Sequence, residues 1–324
     1  MRIFMNARLA FLPLLFVLAV PVQAETLYAT LEKDNALAVV DATSGKLLKT
    51  ARVGKRPRGI LLGQDGKSLY VAASDSHAIQ IVDTGTLKIT GTLPGGRDPE
   101  TFALSPDGKF LYVSNEDDNL LTVVDVAAKK AVKEIQVGVE PEAVAASPDG
   151  KWVVVASETT NMVHWIDAKT LEIVDNSLVD NRPRGASFTA DSAQLWATSE
   201  IAGNVTVFDT GTRQPLKTLG FSVPGVPQEK IQPVGILVDK ERRFAYVALG
   251  PANRVAVIDA QKLEILDYVL VGQRVWQMAF SPDQKRLYTA NGASNDLTVI
   301  DLEKHKALKS IAVGNYPWGV AVRP

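Results

Sequence analysis

The sequence contains no cysteine and only three histidines among its 324 residues. The lack of cysteine excludes disulfides, thiolate-ligated metals, c-type haem attachment and cysteine nucleophiles. The histidines, His77, His164 and His305, are not predicted to converge, so a histidine-ligated metal or a Ser–His–Asp arrangement finds no support. The G-x-S-x-G and H-E-x-x-H motifs are also missing, which argues against hydrolases that use them.

Neither sign of charge is in excess. The 35 basic and 36 acidic residues give a formal net charge of −1, so nothing in the balance points to nucleic-acid binding. One long apolar run is present, Leu9–Val20, preceded by Arg2 and Arg8 and followed by Ala24. Twelve residues interrupted by proline are too short to span a bilayer, and the pattern is typical of a cleaved signal peptide. We therefore predict a signal peptide at 1–24 and a periplasmic mature chain, 25–324, that forms one domain without a membrane span.

A repeat organises the rest of the chain. An aspartate ending an apolar run recurs with gaps of 42, 42, 42, 42, 50 and 42 at Asp41, Asp83, Asp125, Asp167, Asp209, Asp259 and Asp301. A proline follows the same period at Pro57, Pro99, Pro141, Pro183, Pro233 and Pro317, with Val275 in the remaining place. Two markers thus share one period and one eight-residue insertion, which lies between Leu219 and Gln232.

Each unit holds four short alternating apolar runs separated by turn residues, which predicts four antiparallel strands. A period near 42 with four strands per unit is typical of a β-propeller. The mature chain begins without a first strand, and Trp318–Val322 forms a first strand with nothing after it. We predict an all-β, seven-bladed propeller whose last blade joins one C-terminal strand to three N-terminal strands. Trp152, Trp165 and Trp196 are expected to pack between blades.

The units SPDGKFLYVSNEDDN and SPDGKWVVVASETTN resemble the YVTN-type repeats of seven-bladed propellers, a WD40-like class. The tracts VGKRPRGI, VGQRVWQ, ALGPANRVAVIDA and YPWGVAVRP resemble β-propeller proteins associated with pyrroloquinoline quinone (PQQ)-dependent catabolism. That resemblance covers residues 27–324. It implies an accessory role in the periplasm, with a quinoprotein dehydrogenase or a transporter component as partner.

The residues flanking the unit proline are expected to surround one mouth of the central channel. Two arginine blades flank two acidic blades, and the opposite side is aromatic. The candidate ligand-binding residues are Arg56, Arg58, Asp98, Glu100, Glu140, Glu142, Arg182, Arg184, Gln232, Arg274, Trp276, Tyr316 and Trp318. Arginines at these places can grip a carboxylate or phosphate, and the aromatic side chains can stack on a flat ligand.

A structural alternative stays open at this point. Arg58–Glu100 and Glu142–Arg184 can be ion pairs between neighbouring blades, and Trp276 and Trp318 can simply pack at the mouth. The hairpin acids, among them Glu116, Glu158 and Glu200, are interpreted as a solvated acidic rim. Their oxygens would suit calcium, but no spacing resembles an EF-hand.

We therefore expect an exported, non-enzymatic binding or scaffold protein with no cofactor, acting at the channel mouth under partial cover of the inserted loop. A small-molecule ligand is possible. The alternative is an enzyme or redox subunit, either lactonase-like or a quinoprotein dehydrogenase component. A third hypothesis is a purely structural interaction protein. Whether any catalysis occurs is left open.

Overall fold

The computed structural model describes residues 25–324, and the predicted signal peptide lies outside them. These residues form 28 β-strands in seven four-stranded antiparallel sheets, and two short 3-10 turns at Ser74–Ser76 and Gln228–Lys230. The predicted seven-bladed all-β propeller is confirmed. In the described part of the chain no helix is long and apolar enough to cross a membrane.

The strands follow the repeat blade by blade. The three N-terminal strands are β1 (Thr26–Leu31), β2 (Ala36–Asp41) and β3 (Lys46–Arg52). Blade 1 comprises β4 (Pro57–Leu62), β5 (Ser68–Ala73), β6 (Ala78–Asp83) and β7 (Ile89–Pro94). Blade 2 comprises β8 (Pro99–Leu104), β9 (Phe110–Asn115), β10 (Leu120–Asp125) and β11 (Lys130–Gln136). Blade 3 comprises β12 (Pro141–Ala146), β13 (Trp152–Ser157), β14 (Met162–Asp167) and β15 (Glu172–Leu178). Blade 4 comprises β16 (Pro183–Phe188), β17 (Gln194–Ser199), β18 (Asn204–Asp209) and β19 (Pro215–Gly220).

The remaining blades follow the inserted loop. Blade 5 comprises β20 (Ile236–Val238), β21 (Phe244–Ala248), β22 (Arg254–Asp259) and β23 (Glu264–Leu270). Blade 6 comprises β24 (Val275–Phe280), β25 (Arg286–Asn291), β26 (Asp296–Asp301) and β27 (Lys306–Ala312). The last strand is β28 (Pro317–Arg323), which pairs with β1 so that blade 7 has the order β28-β1-β2-β3. The predicted closure of the ring is thus confirmed, with Leu27 opposite Val322.

The periodic aspartate has a clear structural cause. In all seven blades its Oδ1 accepts a backbone N–H three residues ahead, for example from Ser44 to Asp41 at 2.7 Å and from Thr212 to Asp209 at 2.7 Å. This closes the turn between the third and fourth strands, a task for which aspartate is well suited. The periodic proline begins the innermost strand of five blades, where a missing N–H costs no ladder hydrogen bond, and Pro233 precedes β20 by three residues.

The core lies between blades rather than inside them. The buried apolar residues of 25–324 include one cluster for each of the seven blade interfaces. Trp165 and Trp196 are fully buried in two of these clusters, and Trp152 packs edge-on against Trp165 at 6.2 Å between ring centroids. The predicted inter-blade packing is confirmed. Because every blade uses both faces in this way, losing one blade would expose two clusters.

A β-bulge that the alternation does not reveal recurs in the outermost strand of all seven blades. The register slips by one residue at the same place each time, so that Val39 faces Lys49 while Val40 faces Leu47. The residues left unpaired are Leu48, Thr90, Val132, Val174, Leu216, Leu266 and Leu308. A bulge bends and twists an exposed edge, which makes it a poor template for pairing with another chain.

Candidate functional site

Six of the thirteen candidate site residues stand in strained backbone at the mouth of the channel. The residue before the unit proline, or before Val275, takes a left-handed conformation with φ between 50° and 63° in six blades. These residues are Arg56, Asp98, Glu140, Arg182, Arg274 and Tyr316. Side chains other than glycine pay for this conformation, so something must hold it in place.

A side-chain acceptor from the preceding blade holds each of these residues. Asn161 Oδ1, for instance, accepts the backbone N–H of Arg182 at 2.9 Å. The same bond joins Asn35 to Arg56, Asn119 to Glu140, Asn253 to Arg274 and Asn295 to Tyr316. In blade 1 His77 replaces the asparagine, and its Nδ1 accepts the N–H of Asp98 at 3.2 Å. These clamp residues (35, 77, 119, 161, 253 and 295) were not predicted, although the asparagines follow the repeat period.

The charged residues form a network of ion pairs. Arg58 Nη1 lies 2.6 Å from Glu100, and Arg56 contacts Asp75, Asp98 and Glu100. Arg184 contacts three carboxylates, from Glu142 at 2.9 Å, Glu158 at 2.6 Å and Glu200 at 3.4 Å. Both ion pairs considered in the structural alternative, Arg58–Glu100 and Arg184–Glu142, are therefore present.

The network extends to the remaining arginines. Arg182 Nε contacts Glu158 at 2.6 Å, and Arg274 contacts Glu200 at 3.3 Å. Arg274 also donates to Gln232 Oε1 at 2.7 Å. Glu140 is not part of this network. Its carboxylate accepts a hydrogen bond from the hydroxyl of Thr159, and no arginine of the described residues lies within 4 Å of it.

The interpretation of these acids as a solvated rim is wrong for four of them. Glu100, Glu142, Glu158 and Glu200 are at most 2% exposed. The sequence pattern places them in hairpins and loops, which are usually exposed to solvent. Arginines from adjacent blades cover Glu100, Glu142 and Glu158. Arginines of its own blade and Arg274 cover Glu200. Burial of this kind makes each pair costly to break, since either partner alone would be a buried, uncompensated charge.

The aromatic side of the mouth is packed rather than open. Trp276 and Trp318 are 6% and 1% exposed, lie stacked with centroids 6.4 Å apart, and cluster with Val234 and Tyr316. Arg274 lies over the Trp276 ring at 4.2 Å. The ring faces of Trp276 and Trp318 are thus already in contact with other side chains, as the structural alternative predicts. Gly292 makes room for the Trp276 indole, whose Nε1 occupies the place that a side chain would take there.

The three histidines lie apart, as predicted. His77 belongs to the clamps, and His305 packs edge-on against Phe244 at 5.0 Å. His164 is buried in blade 3, where Nε2 accepts the Gly138 N–H at 2.9 Å and Nδ1 is 2.6 Å from Asn176 Oδ1. Burial lowers the pKa of His164.

Two cavities border the network. A central cavity of about 190 Å³ is lined by the innermost strands of all seven blades and reaches Arg184 and Trp318. A shallower cleft of about 440 Å³ lies at the rim, lined by Glu158, Arg182 and other residues of blades 3 and 4 (Thr159, Asn161, Asn181 and Ile201). Burial and the charge of Glu142 raise the pKa of Glu158 to about 7, against the opposing effect of Arg184 and Arg182.

The inserted loop is anchored rather than free. Phe221, Val223 and Ile231 are buried in the cluster between blades 4 and 5. Its last residues reach the mouth, where Gln232 meets Arg274. Whether the loop also covers the channel, as predicted, stays a prediction.

Two family models match parts of the chain. The cytochrome D1 haem domain matches residues 64–187, and the seven-bladed β-propeller lactonase family matches residues 179–315. Each spans less than half of the 324 residues. None of the curated proteins compared with the sequence matches it. The PQQ-associated and YVTN-type resemblance is not among these matches and stays a prediction.

Solved structures with the same fold have quite different names. Hydrazine synthase of Kuenenia stuttgartiensis is 23% identical, with 85% of this chain and 92% of that chain covered and a TM-score of 0.77. The periplasmic gluconolactonase PpgL of Pseudomonas aeruginosa is 19% identical, with 93% and 99% covered and a TM-score of 0.79. A putative 6-phosphogluconolactonase of Bacteroides fragilis is 17% identical, with 94% and 99% covered and a TM-score of 0.79.

Identities this low establish the fold alone. The chain is a seven-bladed β-propeller. The described mouth does not fit a haem, because its one histidine, His77, accepts the Asp98 N–H through Nδ1, the chain lacks cysteine, and ion pairs fill the space above a cavity of about 190 Å³.

Proposed function

We propose that the protein is a hydrolase of small cyclic esters that acts in the rim cleft between blades 3 and 4. The observation that carries the proposal is the placement of Glu158. Its carboxylate is 1% exposed and lies 2.6 Å from both Arg182 Nε and Arg184 Nε, beside a cleft open to solvent. The lactonase match over residues 179–315 and the gluconolactonase neighbours support the proposal at the level of the fold.

Glu158 and Arg182 have suitable properties for this chemistry. A carboxyl group with a pKa near 7 is poised to accept and return a proton near neutral pH. Arg182 has a side chain that is 44% exposed, so its guanidinium can reach a ligand in the cleft. Guanidinium groups stabilise the negative charge that develops on a carbonyl oxygen under attack.

The reaction then follows from these roles. Glu158 takes a proton from water, and the water oxygen bonds to the carbonyl carbon while the carbonyl oxygen becomes negative beside Arg182. The ester carbon–oxygen bond breaks next. Glu158 returns the proton to the leaving ring oxygen, and the product is an open-chain hydroxy acid.

Purified residues 25–324 should be assayed by pH-stat with aldonolactones, with the spontaneous rate subtracted. Glu158→Gln is expected to lower kcat by about 10²–10⁴-fold, the usual contribution of a general base. The matched control is Glu172→Gln, which removes an exposed carboxylate paired only with Lys133. Absence of turnover by the wild type, or equal activity in Glu158→Gln, would contradict the proposal.

A second candidate function is favoured by the charge of the mouth. Nine carboxylates (Glu32, Asp75, Asp98, Glu100, Glu116, Glu140, Glu142, Glu158 and Glu200) face five arginines (Arg56, Arg58, Arg182, Arg184 and Arg274). Four of these carboxylates are buried, and the excess of acids among the others suits a basic protein partner. A periplasmic binding role beside a PQQ-dependent dehydrogenase or transporter is the form that the sequence resemblance implies. Salt-sensitive association with the purified dehydrogenase, without lactone turnover, would support it.

A further inference from the structure

One side chain of the central cavity departs from the repeat. The residue two places after the unit proline is small in six blades, where it is Gly59, Thr101, Ala143, Gly185, Gly235 or Gly319. In blade 6 the same position is Gln277, which lines the cavity of about 190 Å³. A long amide side chain therefore borders a space that the other blades line, at this position, with small residues.

The Gln277 amide makes no hydrogen bond within residues 25–324. The residue is partly exposed, although it lies in the innermost strand of blade 6. Its Oε1 lies beside Gly235 of the preceding blade, where an added Cβ would come within 2.8 Å of it. The carbonyl and the NH2 group of this amide are therefore available to a molecule in the cavity, one as an acceptor and the other as a donor.

Trp318 supplies another donor at the same cavity. It is 1% exposed, lines the cavity, and has an Nε1 without a hydrogen-bond partner in the described chain. Its ring is stacked on Trp276. A buried N–H without a partner costs free energy, which an acceptor at the ring edge would recover.

The charges around the cavity favour a neutral ligand. Arg184 is the one charged residue among those that line it. Three carboxylates within 4 Å already compensate its guanidinium. An anion would approach these acids and a cation would approach the arginine, so neither gains from entering.

The backbone around the cavity is polar. Each innermost strand is the last of its sheet, so one of its edges has no partner strand. Side chains bond some of these groups, as Thr30 Oγ1 does when it donates to the Arg58 carbonyl at 2.8 Å. A purely apolar ligand would leave the others unpaired, whereas hydroxyl groups both donate and accept. Phe102 and Met278 offer apolar contacts to the carbon skeleton of such a ligand.

We propose that the central cavity binds a small neutral polyol and that the Gln277 amide selects it. Adjacent hydroxyls can bond the amide carbonyl and NH2 group together, and the strand edges and Trp318 Nε1 can bond the remaining hydroxyls. An apolar cavity of about 150 Å³ holds benzene, so a cavity of about 190 Å³ is large enough for a six-carbon polyol. The site is separate from the rim cleft and does not depend on the proposed hydrolysis.

The test is calorimetric titration of residues 25–324 with glycerol, sorbitol and myo-inositol, and with gluconate as the anionic counterpart of sorbitol. At least one neutral polyol is expected to bind with a dissociation constant of about 1 mM or lower, and gluconate about tenfold more weakly than sorbitol. Gln277→Met keeps the volume of the side chain but removes its hydrogen bonds, and it should weaken binding by about tenfold. Gln273→Met changes an exposed glutamine of the same blade and is the matched control.

Thermal unfolding without ligand separates recognition from a structural role. Because the amide has no partner in the described chain, Gln277→Met should not lower Tm. Weaker binding in Gln277→Met, with unchanged Tm and with wild-type binding in Gln273→Met, supports the site. Absence of binding by all three polyols, or equal binding in Gln277→Met, overturns it and leaves water as the occupant. A lower Tm together with lost binding would assign the amide a structural role and would also overturn it.

Discussion

Asn161 Oδ1 accepts a hydrogen bond from the backbone N–H of Arg182 at 2.9 Å, across the interface between blades 3 and 4. Asn161 itself has φ of 55°, and Arg182 has φ of 63°, so a single side chain secures two left-handed residues. Equivalent bonds in five other interfaces make this a general means of placing the mouth residues. The orientation of Arg182 in the rim cleft therefore depends on the preceding blade.

Replacement of Asn161 should separate the contribution of its hydrogen bond to stability from that of its left-handed backbone conformation. Asn161→Gly keeps the left-handed backbone but removes the acceptor, and it should lower the free energy of unfolding by about 1 kcal/mol, the net value of a hydrogen bond. Asn161→Ala adds the cost of a left-handed alanine and should lower it by about 2–3 kcal/mol. Urea unfolding measures both. Equal losses in the two variants would show that the hydrogen bond, not the backbone conformation, accounts for the effect.

Arg184 should be among the charged residues of the mouth most costly to remove. It contacts three carboxylates that are each at most 2% exposed, so Arg184→Ala leaves buried charges uncompensated. A loss of about 3–5 kcal/mol is expected. Arg97→Ala removes an exposed pair with Asp117 and should cost less than about 1 kcal/mol. A small loss in Arg184→Ala would mean that water reaches the network.

The architecture can be predicted from the sequence because the same structural unit repeats. Seven occurrences of one aspartate and six of one proline define the blades, and complementary chain ends define the closure. Each marker performs the same local task in every blade, as the Asp41 turn illustrates. A residue that makes the same local hydrogen bonds in every repeat can be recognised from the sequence alone.

The state of the mouth cannot be predicted in the same way. Glu158 stands in a hairpin that reads as solvent-exposed, and its burial depends on Arg182 and Arg184 from the next blade. The clamps were detectable in principle, but His77 and Gly203 interrupt the asparagine series. The outer-strand bulges leave no sign in the alternation, because the extra residue is itself apolar in six of the seven blades, as Leu48 is.

Truncation tests the closure of the ring. Deletion of Trp318–Pro324 removes nearly all of β28, and with it the innermost strand of blade 7 and the partner of β1. Because the interface clusters depend on intact neighbours, cooperative unfolding of the whole domain should be lost or shifted to a much lower Tm. Deletion of Pro324 alone lies outside the strand and is the control. A truncated chain with the Tm of the full chain would contradict closure by β28.

The acid–base behaviour of Glu158 predicts an unusual dependence of stability on pH. The pKa of its carboxyl group is about 7 in the folded protein and about 4.5 in an exposed chain. Between these values the folded state holds a proton that the unfolded state has released, so stability is fully present below pH 4.5 and is lost as pH rises through 7. Each pKa unit corresponds to about 1.4 kcal/mol, so Tm should fall measurably from pH 5 to pH 8. Glu158→Gln should flatten this slope, whereas Glu172→Gln should leave it unchanged.

The turn aspartates such as Asp209, whose pKa is lowered by backbone N–H groups, act in a separate window below pH 4 and with the opposite sign. An equal change of Tm between pH 5 and pH 8 in the wild type and in Glu158→Gln would mean that Glu158 is ionised throughout, and the base in the proposed hydrolysis would then lack its perturbed pKa.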